Sequence, residues 1–145
     1  MEVIETVHAL AKLMARDGLT VRDVLAQVGP AMPSAGRPME LPLELQCTLP
    51  GIRVASLARY PDDGLPYFLE LDFDAEHRPA VGELRKTFGS FLRPPADRGM
   101  PVPLSFERVA RDAAWSVTLI ANLEPGTPPE DSALVHRIVL RRDPM

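Results

Sequence analysis

Apolar residues recur at helical spacing over the first 29 residues of the chain and at every second position through much of residues 40–145. Two helical stripes stand at the start. The first ends at the Asp17-Gly18 pair, and the second begins after Thr20, which can cap it together with Asp23. We therefore predict an N-terminal helical hairpin over residues 1–29, followed by a Pro/Gly-rich linker over residues 30–39.

Residues 40–145 contain six segments with the alternation typical of strands and one further helical stripe. The first segment, residues 41–49, has Pro42 near its start, which indicates an edge strand because proline cannot donate to a sheet ladder. The last segment, residues 134–140, is predicted to be the other edge because nothing follows it in the chain. The remaining strands are predicted over residues 52–59, 67–74, 102–109 and 114–123, and the helix follows Pro79, with apolar side chains from Val81 to Leu92.

The element order α-α-β-β-β-α-β-β-β predicts an α+β fold in which helices pack on one face of an antiparallel sheet of about six strands. Three consecutive strands on each side of one helix indicate hairpins rather than parallel crossover units. We predict a single domain over residues 1–145, in which residues 40–145 form the sheet with its one helix. The alternation predicts that Glu70, Asp72 and Arg141 are exposed. It predicts the following residues to be buried: Leu43, Leu45, Leu69, Leu71, Trp115, Val117 and Leu119.

Charge and cysteine content narrow the classes of partner. The net charge of −4 disfavours nucleic acid, because a protein that neutralises phosphates needs a basic surface. The single cysteine, Cys47, cannot form an internal disulfide and fits a reducing compartment. The acidic opening of the chain and the absence of a run of ~18 apolar residues predict a cytoplasmic protein with no membrane partner.

One acidic run has the spacing of a calcium-binding loop. Asp72, Asp74, Glu76 and Glu83 stand at loop positions one, three, five and twelve, where carboxylates can surround the ion. His77 occupies the position where the sharp turn of such a loop needs glycine. These four residues are the metal candidates of the sequence, but we expect no metal and interpret them as a solvated strand face, paired with arginines such as Arg53 or Arg59.

No catalytic or cofactor-binding residue stands out. The three histidines are not spaced with a second ligand, Cys47 alternates in phase with leucines, and no phosphate-binding glycine loop occurs. We predict no cofactor. Whether the protein is an enzyme stays open, and the absence of motifs favours a negative answer.

Three functions remain open. The favoured one is a non-enzymatic protein-binding module of the chaperone, adaptor or neutralising type, acting through a sheet face or an edge strand on another polypeptide or on a second copy of itself. The alternatives are a small-ligand-binding protein or enzyme with a pocket between helix and sheet, and a DNA-associated regulator that uses the N-terminal helices. The partner-binding candidates are Met39, Glu40, Leu41, Leu43 and Met100.

The element order, size and acidic charge loosely resemble those of bacterial type III secretion chaperones, which are small dimers that hold a partner chain against a twisted sheet. Those chaperones end in a helix, whereas this chain ends in a predicted strand. No residue motif is shared, so we do not assign the chain to that family.

Overall fold

The computed structural model describes residues 3–33, 42–93 and 99–145. Within these ranges it contains three α-helices and six strands in the predicted order, so the α+β fold class is confirmed. The elements are α1 (Val3–Ala15), α2 (Val21–Val28), β1 (Leu43–Leu45), β2 (Ile52–Arg59), β3 (Pro66–Phe73), a 3₁₀ turn (Ala75–His77), α3 (Val81–Phe88), β4 (Val102–Asp112), β5 (Trp115–Leu123) and β6 (Arg137–Pro144).

The sheet is antiparallel throughout, and its spatial order is β1-β2-β3-β6-β5-β4. β1 is an edge strand, as predicted from Pro42. The prediction that the last strand is the other edge is wrong, because β6 returns to the middle of the sheet between β3 and β5. The second edge is β4. Position in the chain did not indicate position in the sheet.

The core lies between one face of the sheet and the helices. Buried side chains from all three helices form a single cluster with the inward-facing side chains of the sheet. One continuous row of that cluster crosses five neighbouring strands and consists of Leu57, Leu69, Leu140, Leu119 and Phe106, each fully buried. Burying such a side chain contributes about 1.5–3 kcal/mol, so this row fixes the register of the sheet.

β1 is shorter than predicted. It spans three residues rather than the nine that alternate in the sequence. Beyond it the backbone turns to the end of α2, where the Thr48 N–H donates to the Val28 carbonyl. Gly29 makes this close approach possible: its φ is +145°, and a Cβ there would stand 1.9 Å from the Gln46 carbonyl oxygen.

Several predicted exposures also need correction. Leu43 and Trp115 are half-buried rather than buried, and Trp115 is the first residue of its strand. Glu70, Asp72 and Arg141 are half-buried rather than exposed, because each has a charged neighbour on the sheet that covers part of it. β6 runs to Pro144 rather than stopping at residue 140.

Candidate functional site

The side chains that alternate with the core residues define the second face of the sheet, on which no described helix packs. We call it the open face. The strand register arranges its residues in three transverse rows. These rows are Val54, Asp72, Arg137, Asn122 and Pro103; then Glu44, Ser56, Glu70, Val139, Ile120 and Ser105; then Ala58, Phe68, Arg141 and Thr118.

Charged side chains occupy the centre of the open face. Arg137 Nε donates to Asp72 Oδ1 at 2.7 Å, and its Nη1 lies 3.3 Å from Glu70 Oε1. The hydrogen bond to Asp72 raises the pKa of Arg137. Arg141 Nε likewise donates to Asp143 Oδ1 at 3.0 Å. Partly exposed pairs of this kind add at most about 1 kcal/mol each, so they contribute little to stability.

Apolar side chains flank these charges at positions where a solvated face would present polar ones. Ile120 and Val139 lie beside the arginines, and Phe68 lies on β3; all three are half-buried. Val54, which lies beside Asp72 on the neighbouring strand β2, is 37% exposed. Leu92 continues the middle row beyond β4, because it pairs with Ser105 through two 2.8 Å backbone hydrogen bonds, and it is 58% exposed.

Some backbone groups on each edge of the sheet already form hydrogen bonds with neighbouring segments of the chain. Outside β1, the Met32 N–H donates to the Glu44 carbonyl and the Gln46 N–H to the Pro30 carbonyl, both at 2.8 Å. Outside β4, Leu92 and Ser105 exchange two backbone hydrogen bonds, each N–H donating to the other carbonyl. The sequence suggested an edge strand or a sheet face as the binding surface. Apart from Ser105, no backbone group on the outer edge of β4 is bonded by another described segment, so the open face and this edge are the two candidate surfaces.

Two of the five predicted partner-binding residues, Leu43 and Met100, lie in the described part of the chain. Leu43 packs against the core cluster, on the helical side of the sheet. Met100 is 56% exposed just before β4. Met39, Glu40 and Leu41 lie outside the described residues. The signal that could have identified the open face is the set of apolar residues in outward positions, such as Phe68 and Ile120.

Three of the four metal candidates have separate partners, and the fourth, Glu76, is exposed in the 3₁₀ turn. Asp72 binds Arg137, Asp74 Oδ2 lies 3.7 Å from His77 Nδ1, and Glu83 Oε1 accepts from the Ala80 N–H at the start of α3. On the acidic strand face, Arg137 pairs with Glu70 and Asp72, and the sequence had not indicated this arginine. Across residues 3–33, 42–93 and 99–145, no three His, Cys, Asp or Glu side chains are grouped to hold a metal ion.

Arg142 is a feature that the sequence analysis missed. Its side chain is 1% exposed and lies over the Trp115 ring, 3.6 Å from the centroid. Its Nε and Nη2 donate at 2.9 Å to the carbonyls of Met14 and Arg16, at the C-terminal end of α1. Burial lowers the pKa of Arg142. The contacts make this residue a cap for α1 rather than a reactive group.

Surface clefts are found beside the helices. One cleft between α1 and α2 is lined by Lys12, Arg16 and Gln27 among others, with Asp23 bonded to Arg16 across it. Two more lie beside α3, where Glu83 and Lys86 line both. The lining residues of these three clefts belong to helices and adjoining segments, so none of them is the helix–sheet pocket that an enzyme or small-ligand binder would use.

No known family model matches the sequence, and no curated protein or solved structure is significantly similar to it. Within the described part of the chain, no helix combines the length and the apolar content needed to cross a membrane. The functional interpretation therefore depends on the geometry of the open face.

Proposed function

We propose that the protein is a non-enzymatic polypeptide-binding module and that the open face of the sheet is its binding surface. The observation that supports this most directly is the presence of exposed Val54 and Leu92 with half-buried Phe68, Ile120 and Val139 on a face that no described helix covers. A chaperone, adaptor or neutralising protein would each use such a surface.

The composition of the open face fits a protein partner. Apolar side chains supply the favourable free energy when a partner removes them from water, and a single antiparallel sheet can leave one face available for this. The central charges, Arg137 with Glu70 and Asp72, would fix the orientation of the partner and exclude mismatched ones. We propose a cytoplasmic setting, which the single Cys47 supports because a reducing compartment does not favour disulfides.

Site-specific photo-crosslinking in cells of the native host tests this proposal. A photoreactive amino acid would replace Val54 or Leu92 on the open face, and Arg22 or Thr87 on the outer surface of the helices as matched exposed controls. We expect discrete crosslinked polypeptides from the two open-face positions only, and their loss when Ile120→Arg is added. Equal crosslinking from all four positions, or none from the open face, would contradict the proposal.

A further inference from the structure

We infer that the occupant of the open face is a second copy of this chain, packed face to face about a twofold axis. This inference rests on the proposed function and names its partner. The spatial order β1-β2-β3-β6-β5-β4 leaves three strands on each side of the line between β3 and β6. The twofold axis runs parallel to the strands along that line, between the two sheets. It lays β3, β2 and β1 of one copy over β6, β5 and β4 of the other. Each transverse row of one copy then lies opposite the same row of the other.

The charges of the open face are complementary under this rotation. Asp72 and Arg137 are register partners on β3 and β6, so Asp72 of each copy comes to lie over Arg137 of the other. The two copies then form a ring of alternating charge, in which each guanidinium has a carboxylate from both chains. Phe68 and Arg141 are register partners in the same way, and this brings each guanidinium over the aromatic ring of the other copy.

Ile120 and the apolar margins of the sheet are also accommodated, whereas Val139 lies over Glu70 and Val54 over Asn122 of the other copy. In the middle row, Ile120 of one copy faces the small Ser56 of the other, which gives the larger side chain space to enter. Met32 lies next to Glu44 outside β1, and Leu92 lies next to Ser105 outside β4. The rotation brings these two margins together, so Met32, 42% exposed, meets Leu92, 58% exposed.

The size of the open face is sufficient for a specific dimer. A sheet of six strands at ~4.8 Å per strand, about seven residues long at ~3.3 Å per residue, offers roughly 650 Å² per copy. Two copies would bury roughly 1,300 Å², above the ~1,000 Å² expected of a specific interface.

Analytical ultracentrifugation of the full chain and two exposed-leucine variants tests the dimer. We expect the wild type to sediment as a dimer at about 50 μM, and Leu92→Glu to weaken the dimer about tenfold or more. Leu134→Glu is the matched control, because Leu134 is 49% exposed and lies outside the open face; we expect it to leave the dimer unchanged. A monomeric wild type, or equal weakening by both variants, would overturn the inference.

A charge exchange tests the twofold arrangement. Asp72→Lys and Arg137→Glu each place like charges opposite one another in a homodimer, so each variant alone should be mainly monomeric. When the two are mixed, the new lysine of one chain faces the new glutamate of the other, and native Asp72 faces native Arg137. We expect a heterodimer only in the mixture, with circular dichroism showing that both variants are folded. A mixture that stays monomeric would overturn the arrangement.

The two proposals can fail separately. If the wild type is monomeric while open-face crosslinks to other polypeptides persist, the dimer is wrong and polypeptide binding stands. If the wild type is monomeric and the open-face positions give no crosslinks, polypeptide binding by the open face is wrong as well.

Discussion

Arg142 anchors the C-terminal end of α1 to the sheet. Its guanidinium donates to the carbonyl of Met14, in the last turn of α1, and to that of Arg16, the residue after the helix, and it lies over the Trp115 ring. We expect Arg142→Met to lower the free energy of unfolding by about 1–2 kcal/mol, because the apolar side chain leaves the Met14 carbonyl unpaired and leaves the Arg16 carbonyl with only the Leu19 N–H, 3.3 Å away. The free energy of unfolding of Arg142→Lys should lie between those of the wild type and Arg142→Met, because an ammonium lacks the planar fork that reaches both carbonyls.

Urea denaturation followed by circular dichroism would measure these differences. Arg111→Met is the matched control, because Arg111 is exposed near the end of β4; we expect a change within about 0.5 kcal/mol. An Arg142→Met variant as stable as the wild type would show that the buried guanidinium is no better than a methionine at this position.

Single residues were also where sequence reasoning failed most. Alternation placed Trp115 in the core, but its position at the start of β5 leaves it half-buried, and Arg142 covers it instead. Arg142 has the same inward phase as Ile138 and Leu140. An arginine in phase with a buried apolar row is the signal that could have revealed it, but the helix end that it bonds is more than 120 residues away in the chain.

At the level of elements, α2 depends on its N-terminal cap. Thr20 Oγ1 accepts from the Asp23 N–H at 3.2 Å, and Asp23 Oδ2 accepts from the Thr20 N–H at 2.9 Å. This is the arrangement predicted from the sequence. The backbone hydrogen bond from Thr20 is the largest cause that lowers the pKa of Asp23 from its ordinary 3.8, and Arg16 adds to it.

The lowered pKa of Asp23 makes the stability of α2 depend on pH. A carboxylate whose pKa is lower in the folded state contributes stability above its unfolded pKa, and this contribution is lost as pH falls through the folded value. We expect hydrogen exchange of the α2 amides to accelerate, relative to those of α1, as the pH falls from about 5 towards 3. Asp23→Asn should remove this dependence and loosen α2 at pH 7. An unchanged pH profile in Asp23→Asn would contradict the assignment.

Elements with strong local signals were predicted well, whereas their spatial arrangement was not. The helices and strands lie close to their predicted bounds where turn residues delimit them, as at Gly29 and Gly64. β1 was predicted too long because its alternation continues after residue 45, although the backbone there bonds Pro30 and Val28 instead of a strand. β6 was assigned to an edge because chain order does not specify which strands pair. The open face was anticipated only as one of two surfaces, since its rows join residues from distant parts of the chain.

At the level of the whole molecule, the last strand of the chain completes the middle of the sheet. β6 supplies the partners of both β3 and β5, and it contributes buried Ile138, Leu140 and Arg142 to the helical side. Without it the sheet divides into a β1-β2-β3 half and a β5-β4 half. Neither half can bury the face of α1, whose neighbours come from both halves and from β6 itself.

We therefore expect a chain that ends at His136 to lose cooperative unfolding. A long-range strand must pair before the two halves share a core, and its loss exposes two long strand edges. Far-UV circular dichroism in urea would show a broad, non-sigmoidal change, and a peptide of residues 137–145 added in excess should restore a cooperative transition by occupying the gap. A chain ending at Pro144 is the control, because it loses only Met145, whose N–H bonds the Ala114 carbonyl at the sheet margin. A cooperative transition near the wild-type midpoint in the chain that ends at His136 would show that the two halves form a stable core without β6.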